Sequence, residues 1–187
     1  MKQLLHILGF LGLLVASVAR SETAPGTSAA ATDAIEVGNF HFDLVSPWAD
    51  KGSTRPMVKA VAVWTDPDRE ASPTIEAAFY HFGKGQGGSI PANIQRWKKQ
   101  FTGEVEEAID ELDRDGQKVV IIHLRGTYLD GPMFGKKTPK AKHALLGAIL
   151  ESNEGAVFLK ATAPESLAEA CKESFRKLAL SPFEKNP

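Results

Sequence analysis

The sequence has little cysteine and no excess of charge of either sign. Cys171 is the only cysteine, which excludes an intramolecular disulfide. Its place in an apolar helical pattern predicts a small core residue and not a reactive thiol. The 22 lysines and arginines almost balance the 23 aspartates and glutamates, for a net charge of −1. Such balanced, interspersed charge gives no global argument for a nucleic-acid partner or for a membrane-surface protein.

The sequence also lacks the common motifs of catalysis and metal binding. No Gly-x-Ser-x-Gly motif of a serine hydrolase is present. The histidines after the N-terminal segment show no HxxxH or HExxH spacing: His41, His81, His123 and His143. The acidic stretch at residues 66–70 lacks the glycine and the final glutamate of a calcium loop. We therefore predict no metal and no cofactor, and we assign no catalytic residue.

The one long apolar run lies at the N-terminus. Lys2 precedes it, and it ends in Ser17-Val18-Ala19, which places small residues at the −3 and −1 positions of a cleavage site. An uncleaved membrane anchor is the alternative, but the run is shorter than the ~20 residues of a typical span. The segment therefore predicts a signal peptide at residues 1–19. It also predicts export to the periplasm or the extracellular space, without stable membrane insertion after cleavage.

A short linker and a single domain follow. Residues 20–34 are small and polar without periodicity, which predicts a flexible linker. Residues 35–187 have the length and apolar content of one domain with its own core. Strands are predicted at 35–45, 57–65 and 74–82, where β-branched and aromatic residues recur. The last two are expected to pair antiparallel across a long loop.

Residues 83–101 combine a glycine-rich turn with an amphipathic helix. The turn contains four glycines, which allow sharp changes of backbone direction: Gly83, Gly85, Gly87 and Gly88. Ser89 suits the N-cap of the helix that follows. Ile94, Trp97 and Phe101 recur at helical spacing and predict an apolar stripe buried against a sheet, with Trp97 as a core residue.

Residues 104–113 admit two interpretations. Their apolar residues, from Val105 to Leu112, recur at the i, i+3, i+4 and i+7 spacing of an amphipathic helix. Asp113-Arg114-Asp115-Gly116 is a turn signal directly before a clear strand at 118–125. That turn favours a hairpin whose first strand is the acidic segment, so the residues alone leave both possibilities open.

The C-terminal part of the domain predicts a second hairpin and a second helix. Strands at 143–151 and 156–162 flank a turn at 152–155. Apolar residues at helical spacing then predict a helix over residues 164–180, ended by Pro182. The apolar side of that helix comprises Leu167, Ala170, Cys171, Phe175 and Leu178.

Four segments resemble a known group of proteins: GGSIPANIQRWKKQF, GTYLDGPM, LLGAILE and AVFLKATAPE. They are similar to uncharacterised secreted bacterial proteins, and the similarity covers residues 40–183, nearly the whole domain. The fold of that group resembles PsbP, an extrinsic subunit of photosystem II. The resemblance implies an α+β fold in which an antiparallel sheet is packed between helices, an α/β/α sandwich, and it favours a strand at 104–113. It also implies a binding or assembly protein without catalysis.

The glycine turn at residues 83–89 has three interpretations. Gly83-x-Gly85-x-x-Gly88 matches the spacing of a dinucleotide fingerprint. That fingerprint requires a buried parallel strand after the helix with an acid near its end, whereas residues 102–113 are acidic and largely polar. A tight turn that lets the helix approach the sheet is one remaining explanation. The other is an anion site at the helix N-terminus, beside Lys84.

A second glycine-rich loop follows Gly126-Thr127-Tyr128, which is predicted to end a strand. If both loops lie at the same end of the sheet, they border one positively charged cleft for a small anion or for an acidic group of an unknown partner protein. A buried ring with a hydrogen-bonded hydroxyl is the alternative for Tyr128. The predicted ligand-binding residues are Lys84, Gly85, Gly87, Gly88, Ser89, Asn93, Arg96 and Tyr128.

A local run of lysines crosses the same second loop: Lys136, Lys137, Lys140 and Lys142. A solvated face is the simplest interpretation, and an acidic polymer or an anionic surface is the alternative. Two classes of function therefore remain. The first is a secreted, non-catalytic binding or assembly module. The second is an enzyme whose site is assembled from distant residues around Tyr128, Arg96 and the histidines.

Overall fold

The structure is a computed structural model that describes residues 33–132 and 134–184. The predicted signal peptide, residues 1–19, lies outside the described residues, as does most of the predicted linker at 20–34. The first strand begins at Asp33, two residues before the predicted start of the domain. In the part of the chain that is described, no helix is long and apolar enough to cross a membrane.

Strands make up most of the described chain. The strands are β1 (Asp33–Val37), β2 (Phe40–Leu44), β3 (Trp48–Asp50), β4 (Ala60–Thr65), β5 (Thr74–His81), β6 (Phe101–Arg114), β7 (Gln117–Asp130), β8 (Thr138–Leu150) and β9 (Val157–Pro164). The helices are α1 (Ile90–Lys98) and α2 (Glu165–Leu180), and a short 3-10 turn (Ser181–Phe183) follows α2. Both predicted helices are therefore present.

Seven strands form one antiparallel sheet in the order β3-β4-β5-β9-β8-β7-β6, and β1 and β2 form a separate hairpin. One core lies between the sheet, α2 and the β1–β2 hairpin, which we call the α2 side. A second core lies under α1 on the opposite face, the α1 side. The predicted α+β fold, an antiparallel sheet between helices, is confirmed.

The prediction of one strand at 35–45 is wrong, because the chain reverses at Gly38. Gly38 has φ +62°, a conformation that glycine adopts without strain. A β-carbon at this position would also lie 3.3 Å from the ring of His81. Phe42, in the second strand of the resulting hairpin, is fully buried with its ring edge against Phe79, 5.0 Å between centroids. The hairpin thus closes the core on the α2 side.

The segment 104–113 is a strand, as the turn and the resemblance predict. Asp115 (φ +53°) and Gly116 (φ +78°) form the two-residue turn between β6 and β7, with the positive φ angles that such hairpins require. The helical spacing was misleading because the apolar residues divide between the two faces. Val105 packs against the core on the α1 side, whereas Leu112 packs against the core on the α2 side.

Helix α1 has the predicted start and the predicted buried side. Ser89 is the N-cap, and its hydroxyl accepts a hydrogen bond from the backbone N–H of Ala92 at 3.4 Å. Ile94 and Trp97 are buried against the sheet. Phe101, the third residue of the predicted stripe, is also buried but begins β6 instead of continuing the helix.

Helix α2 buries its predicted side with one exception. Ala170 is exposed, and Ala168 faces the core in its place. Cys171 is fully buried, and burial raises the pKa of its thiol to about 12. The thiol therefore stays protonated at neutral pH, and the prediction of a core cysteine is confirmed.

Candidate functional site

The glycine turn, residues 83–89, joins β5 to α1 and needs glycine for local steric reasons. All four glycines have φ between +72° and +85°: Gly83, Gly85, Gly87 and Gly88. At Gly87 a β-carbon would also lie 3.0 Å from the ring of Phe158, which is buried under α1. The turn therefore brings the start of the helix close to the sheet, as the structural interpretation of the glycines predicts.

Asn93 ties the turn to the helix. Its side chain is buried, and Nδ2 donates hydrogen bonds to the carbonyl oxygens of Gly87 at 2.9 Å and Ser89 at 3.0 Å. Its Oδ1 accepts a hydrogen bond from Nη1 of the exposed Arg96 at 2.6 Å. Both the nitrogen and the oxygen of the Asn93 side-chain amide thus have hydrogen-bond partners within the protein.

An open cleft of about 860 Å³ lies beside the turn. Gly85, Gly88 and Ser89 border it from one side, and the turns between β6 and β7 and between β8 and β9 border it from the other. Its charged lining residues are Asp113, Asp115, Lys118 and Glu151. Acidic residues therefore outnumber basic ones in the lining of this cleft, and Lys84, Asn93, Arg96 and Tyr128 are not part of it.

Tyr128 lies at the opposite end of the sheet from Gly85. Strands β5 and β7 are separated by two strands in a fully antiparallel sheet, so they run in opposite directions. Their C-terminal ends therefore lie at opposite ends of the sheet. Tyr128 also lies within β7, opposite Phe101 and Lys140, and does not end that strand. The hypothesis of one cleft shared by the two loops is therefore wrong, because it needed the two strands to be parallel.

Tyr128 belongs instead to a small polar cluster at the C-terminal end of α1. Its hydroxyl donates a hydrogen bond to Oε1 of Gln100 at 3.2 Å, and its ring edge meets Phe101 with 5.4 Å between centroids. Lys160 Nζ donates to the same Gln100 oxygen at 2.5 Å and lies 5.7 Å from the centre of the Tyr128 ring. The alternative prediction for Tyr128, a hydrogen-bonded hydroxyl beside a largely covered ring, agrees with this arrangement.

Lys160 is the main residue of this cluster that the sequence reasoning missed. Its side chain is half-buried on the α1 side of β9, and burial, followed by the charge of Lys137, lowers its pKa to about 8. No carboxylate of residues 33–132 or 134–184 lies within ion-pair distance of its Nζ. The available signal was a lysine on the same strand face as the core residue Phe158.

Four further lysines continue this positive region along the β7–β8 hairpin. Together with Lys160 we call them the basic end: Lys136, Lys137, Lys140, Lys142 and Lys160. Among them only Lys140 forms an ion pair with a described carboxylate, that of Asp130, at 2.7 Å. These five lysines therefore lie at the Tyr128 end of the sheet and not at the glycine turn.

Of the groups named for the enzyme hypothesis, His123 is not brought together with Tyr128 and Arg96. His123 pairs across the sheet with Leu146, a core residue of the α2 side, whereas Tyr128 and Arg96 lie on the α1 side. The sheet separates the histidine from the other two. Within the described ranges, no three histidine, cysteine, aspartate or glutamate side chains are grouped so that they could hold a metal ion.

Comparisons with known proteins support the fold and nothing more specific. No protein-family model matches the sequence, and no match is found among curated proteins. The structure is similar to that of PA94 of Pseudomonas aeruginosa, a protein of unknown function, with a TM-score of 0.46, 10% identity, and coverage of 83% of this chain and 98% of that one. It is also similar to the cyanobacterial PsbP protein, CyanoP, of Synechocystis, with a TM-score of 0.51, 13% identity, and coverage of 85% of this chain and 95% of that one. The protein therefore has a PsbP-like fold.

Proposed function

We propose that this protein is an exported, non-catalytic binding or assembly module whose basic end accepts an acidic group of a partner. The observation that carries the proposal is Lys160, a half-buried lysine whose described neighbours include neutral acceptors but no carboxylate within ion-pair distance. The partner is an unknown protein or a small anionic ligand. The protein would act in the periplasm or outside the cell after removal of residues 1–19.

An acidic partner group would supply the charge that Lys160 lacks. A charged amine loses solvation when it is partly buried, and neutral hydrogen-bond acceptors compensate only part of that loss. A carboxylate or phosphate beside Nζ would form a charge-assisted hydrogen bond. Lys137 is close enough to lower the pKa of Lys160, so the same anion would also relieve the repulsion between the two lysines.

Two further arguments favour a module over an enzyme. The resemblance to PsbP-like proteins implies a protein without catalysis. In addition, the sheet lies between His123 on one face and Tyr128 on the other, so these groups cannot act on one substrate atom in this conformation. The enzyme alternative therefore needs a site that does not use this combination of residues.

The glycine turn is the second candidate for the same acidic group. Arg96 lies in the last turn of α1, and its exposed side chain reaches back toward Gly88 at the N-terminus of the helix, where backbone N–H groups attract anions. This candidate site comprises Lys84, Gly85, Gly87, Gly88, Ser89, Asn93 and Arg96. The acidic residues of the neighbouring cleft oppose it, and for that reason we rank it second.

A titration with a hexaglutamate peptide, followed by two-dimensional amide NMR, tests the proposal. We expect saturable shifts around Tyr128 and Lys160, and weakening of at least about tenfold, ~1.4 kcal/mol, in Lys137→Gln/Lys160→Gln. Lys118→Gln is the matched control, because Lys118 is an exposed lysine at the opposite end of the sheet. Saturable shifts confined to the glycine turn would show that the acidic group binds beside Arg96 and not at the basic end. Equal weakening by the control, or no saturable shift, would reject the proposal.

A further inference from the structure

On the β6 side of the sheet, strands extend past α2 and leave a cavity beside that helix. Helix α2 packs mainly on β8 and β9, so β6 and part of β7 lie beyond the helix. Between them and α2 is a cavity of about 160 Å³, which we call the His123 slot. Its apolar lining includes Ala108, Ile121, Leu146 and Phe175. Ala108 lies directly opposite His123 on β6, and its small side chain contributes to the free space.

His123 supplies a polar atom that has no partner. The residue is only 8% exposed, and its buried Nε2 forms no hydrogen bond with any of the described residues. Burial is the main cause that lowers the pKa of His123, so the imidazole is neutral at pH 7. A neutral imidazole nitrogen donates or accepts a hydrogen bond, depending on the tautomer. Buried polar atoms are normally paired, so an unpaired Nε2 beside a cavity points to a group that binds there.

Most of the charged residues around the slot form ion pairs with one another. The ion pairs are Arg176–Asp110 at 2.6 Å, Lys172–Glu169 at 3.4 Å, and Arg125 with Glu106 at 2.6 Å and Glu165 at 3.3 Å. The charged residues that line the slot itself are two acids, Asp110 and Glu173, and two bases, Lys172 and Arg176, so its lining has no net charge, although Glu173 forms no ion pair within the described residues. A second space of about 420 Å³ also borders His123 and Ala108.

We propose that the His123 slot binds a neutral, single-ring phenol, with the ring among the apolar side chains and the hydroxyl hydrogen-bonded to His123 Nε2. The volume fits one ring, since an apolar cavity of about 150 Å³ is known to bind benzene. A hydroxyl both donates and accepts, so it suits either tautomer of the histidine. This site is independent of the basic end, because it lies on the α2 side of the sheet and selects an uncharged molecule.

A pair of ligands that differ in one hydroxyl tests the inference. Binding of 4-fluorophenol and of fluorobenzene to the full protein is measured by fluorine NMR. We expect saturable binding of 4-fluorophenol, with shifts of the His123 ring resonances. His123→Phe keeps a ring but removes the nitrogen, so it should weaken 4-fluorophenol binding by at least about tenfold and leave fluorobenzene binding unchanged or stronger.

Two further variants make the test specific. Ala108→Leu fills part of the slot and should weaken both ligands, and His143→Phe, three residues before Leu146 on β8 but outside the lining of the slot, should change neither. Circular dichroism shows whether each variant is folded, and competition of phenol with 4-fluorophenol on the unmodified protein gives a result that needs no variant. Absence of saturable binding up to the solubility limit would overturn the inference. Equal loss of both ligands in folded His123→Phe would overturn it as well.

Discussion

Trp97 of α1 lies directly over Gly147 of β8, and a β-carbon at Gly147 would come within 2.3 Å of the Trp97 ring. This contact sets how closely the helix approaches the sheet. The tryptophan ring occupies the space that a side chain on β8 would otherwise fill, and both residues lie on the α1 side. The absence of a side chain at Gly147 is therefore as necessary for this packing as the ring of Trp97.

Substitutions at these two positions are expected to be strongly destabilising and coupled. Trp97→Ala should lower the free energy of unfolding by ~3–5 kcal/mol, the usual range for deleting a large buried aromatic. Gly147→Ala should lower it by ~1–3 kcal/mol, because it overpacks the interface. The double variant should lose less than the sum, since the alanine then has room. Urea denaturation measures all three. A loss below ~1 kcal/mol in Trp97→Ala would contradict the burial of α1.

Substitution of Asn93 should lower the stability of the protein more than substitution of Arg96. Asn93→Ala removes the side-chain donor to the carbonyl oxygens of Gly87 and Ser89, of which only Ser89 keeps a backbone N–H donor, and it should cost ~1–3 kcal/mol of unfolding free energy. Arg96→Ala removes an exposed side chain and one hydrogen-bond donor to Asn93 Oδ1, so it should cost less than Asn93→Ala, about 1 kcal/mol or less. Thermal melts of the two variants at one pH provide the comparison. If Arg96→Ala were the more destabilising, the guanidinium and not the amide would hold the turn.

Lys160 should make folding more favourable as the pH rises above about 8. Its pKa is lowered to about 8 in the folded protein from 10.5, so the charged form is disfavoured by folding. That penalty is complete below pH 8 and is relieved as the pH rises toward 10.5, because the unfolded chain then holds more protons than the folded one. Lys160→Met should therefore match or exceed the unmodified protein in stability at pH 7. Its advantage should shrink at pH 10, as measured by urea denaturation at both pH values.

The pKa values of His123 and His41 should be shifted in opposite directions from the ordinary value of histidine. Burial lowers the pKa of His123 below 6.5, whereas a hydrogen bond to Glu36 raises the pKa of the exposed His41 above it. His123 should therefore oppose folding as the pH falls through 6.5, since the unfolded chain takes up its proton first. Proton NMR of the two imidazole rings between pH 5 and 8 gives both midpoints. A midpoint above 6.5 for His123 would show that its surroundings favour the charged ring.

Local features of the fold were predictable from the sequence because their causes are local. The turn at Asp115 and Gly116 needs residues that accept positive φ, and the Ser89 cap needs a side-chain oxygen at that position. The reversal at Gly38 was missed, although the apolar positions change there from odd (Ile35, Val37) to even (Phe40, Phe42, Leu44). That change breaks the alternation of a single strand, and with Gly38-Asn39 between the two halves it was the local signal of a hairpin.

The candidate site depended on global information that the sequence does not contain. Whether Gly85 and Tyr128 lie at the same end of the sheet depends on the order of the strands. Because β8 and β9 lie between β5 and β7, the two residues are at opposite ends. The same strand order brings Lys160 beside Tyr128, although 32 positions separate them in the chain. The lysine run at the basic end was recognisable, but it could not be foreseen that, within the described residues, only Lys140 has a carboxylate partner.

The pKa of Lys160, with and without an acidic ligand, tests the central claim most directly. Specific labelling of the lysine side chains and NMR titration from pH 6 to 11 would follow its ε-methylene group in the free protein and in the presence of saturating hexaglutamate. We predict a midpoint near 8 in the free protein, as burial and Lys137 dictate, and a rise toward 10.5 or above when a carboxylate binds beside it. A midpoint that is the same with and without the peptide would contradict the proposal that the basic end accepts an acidic group.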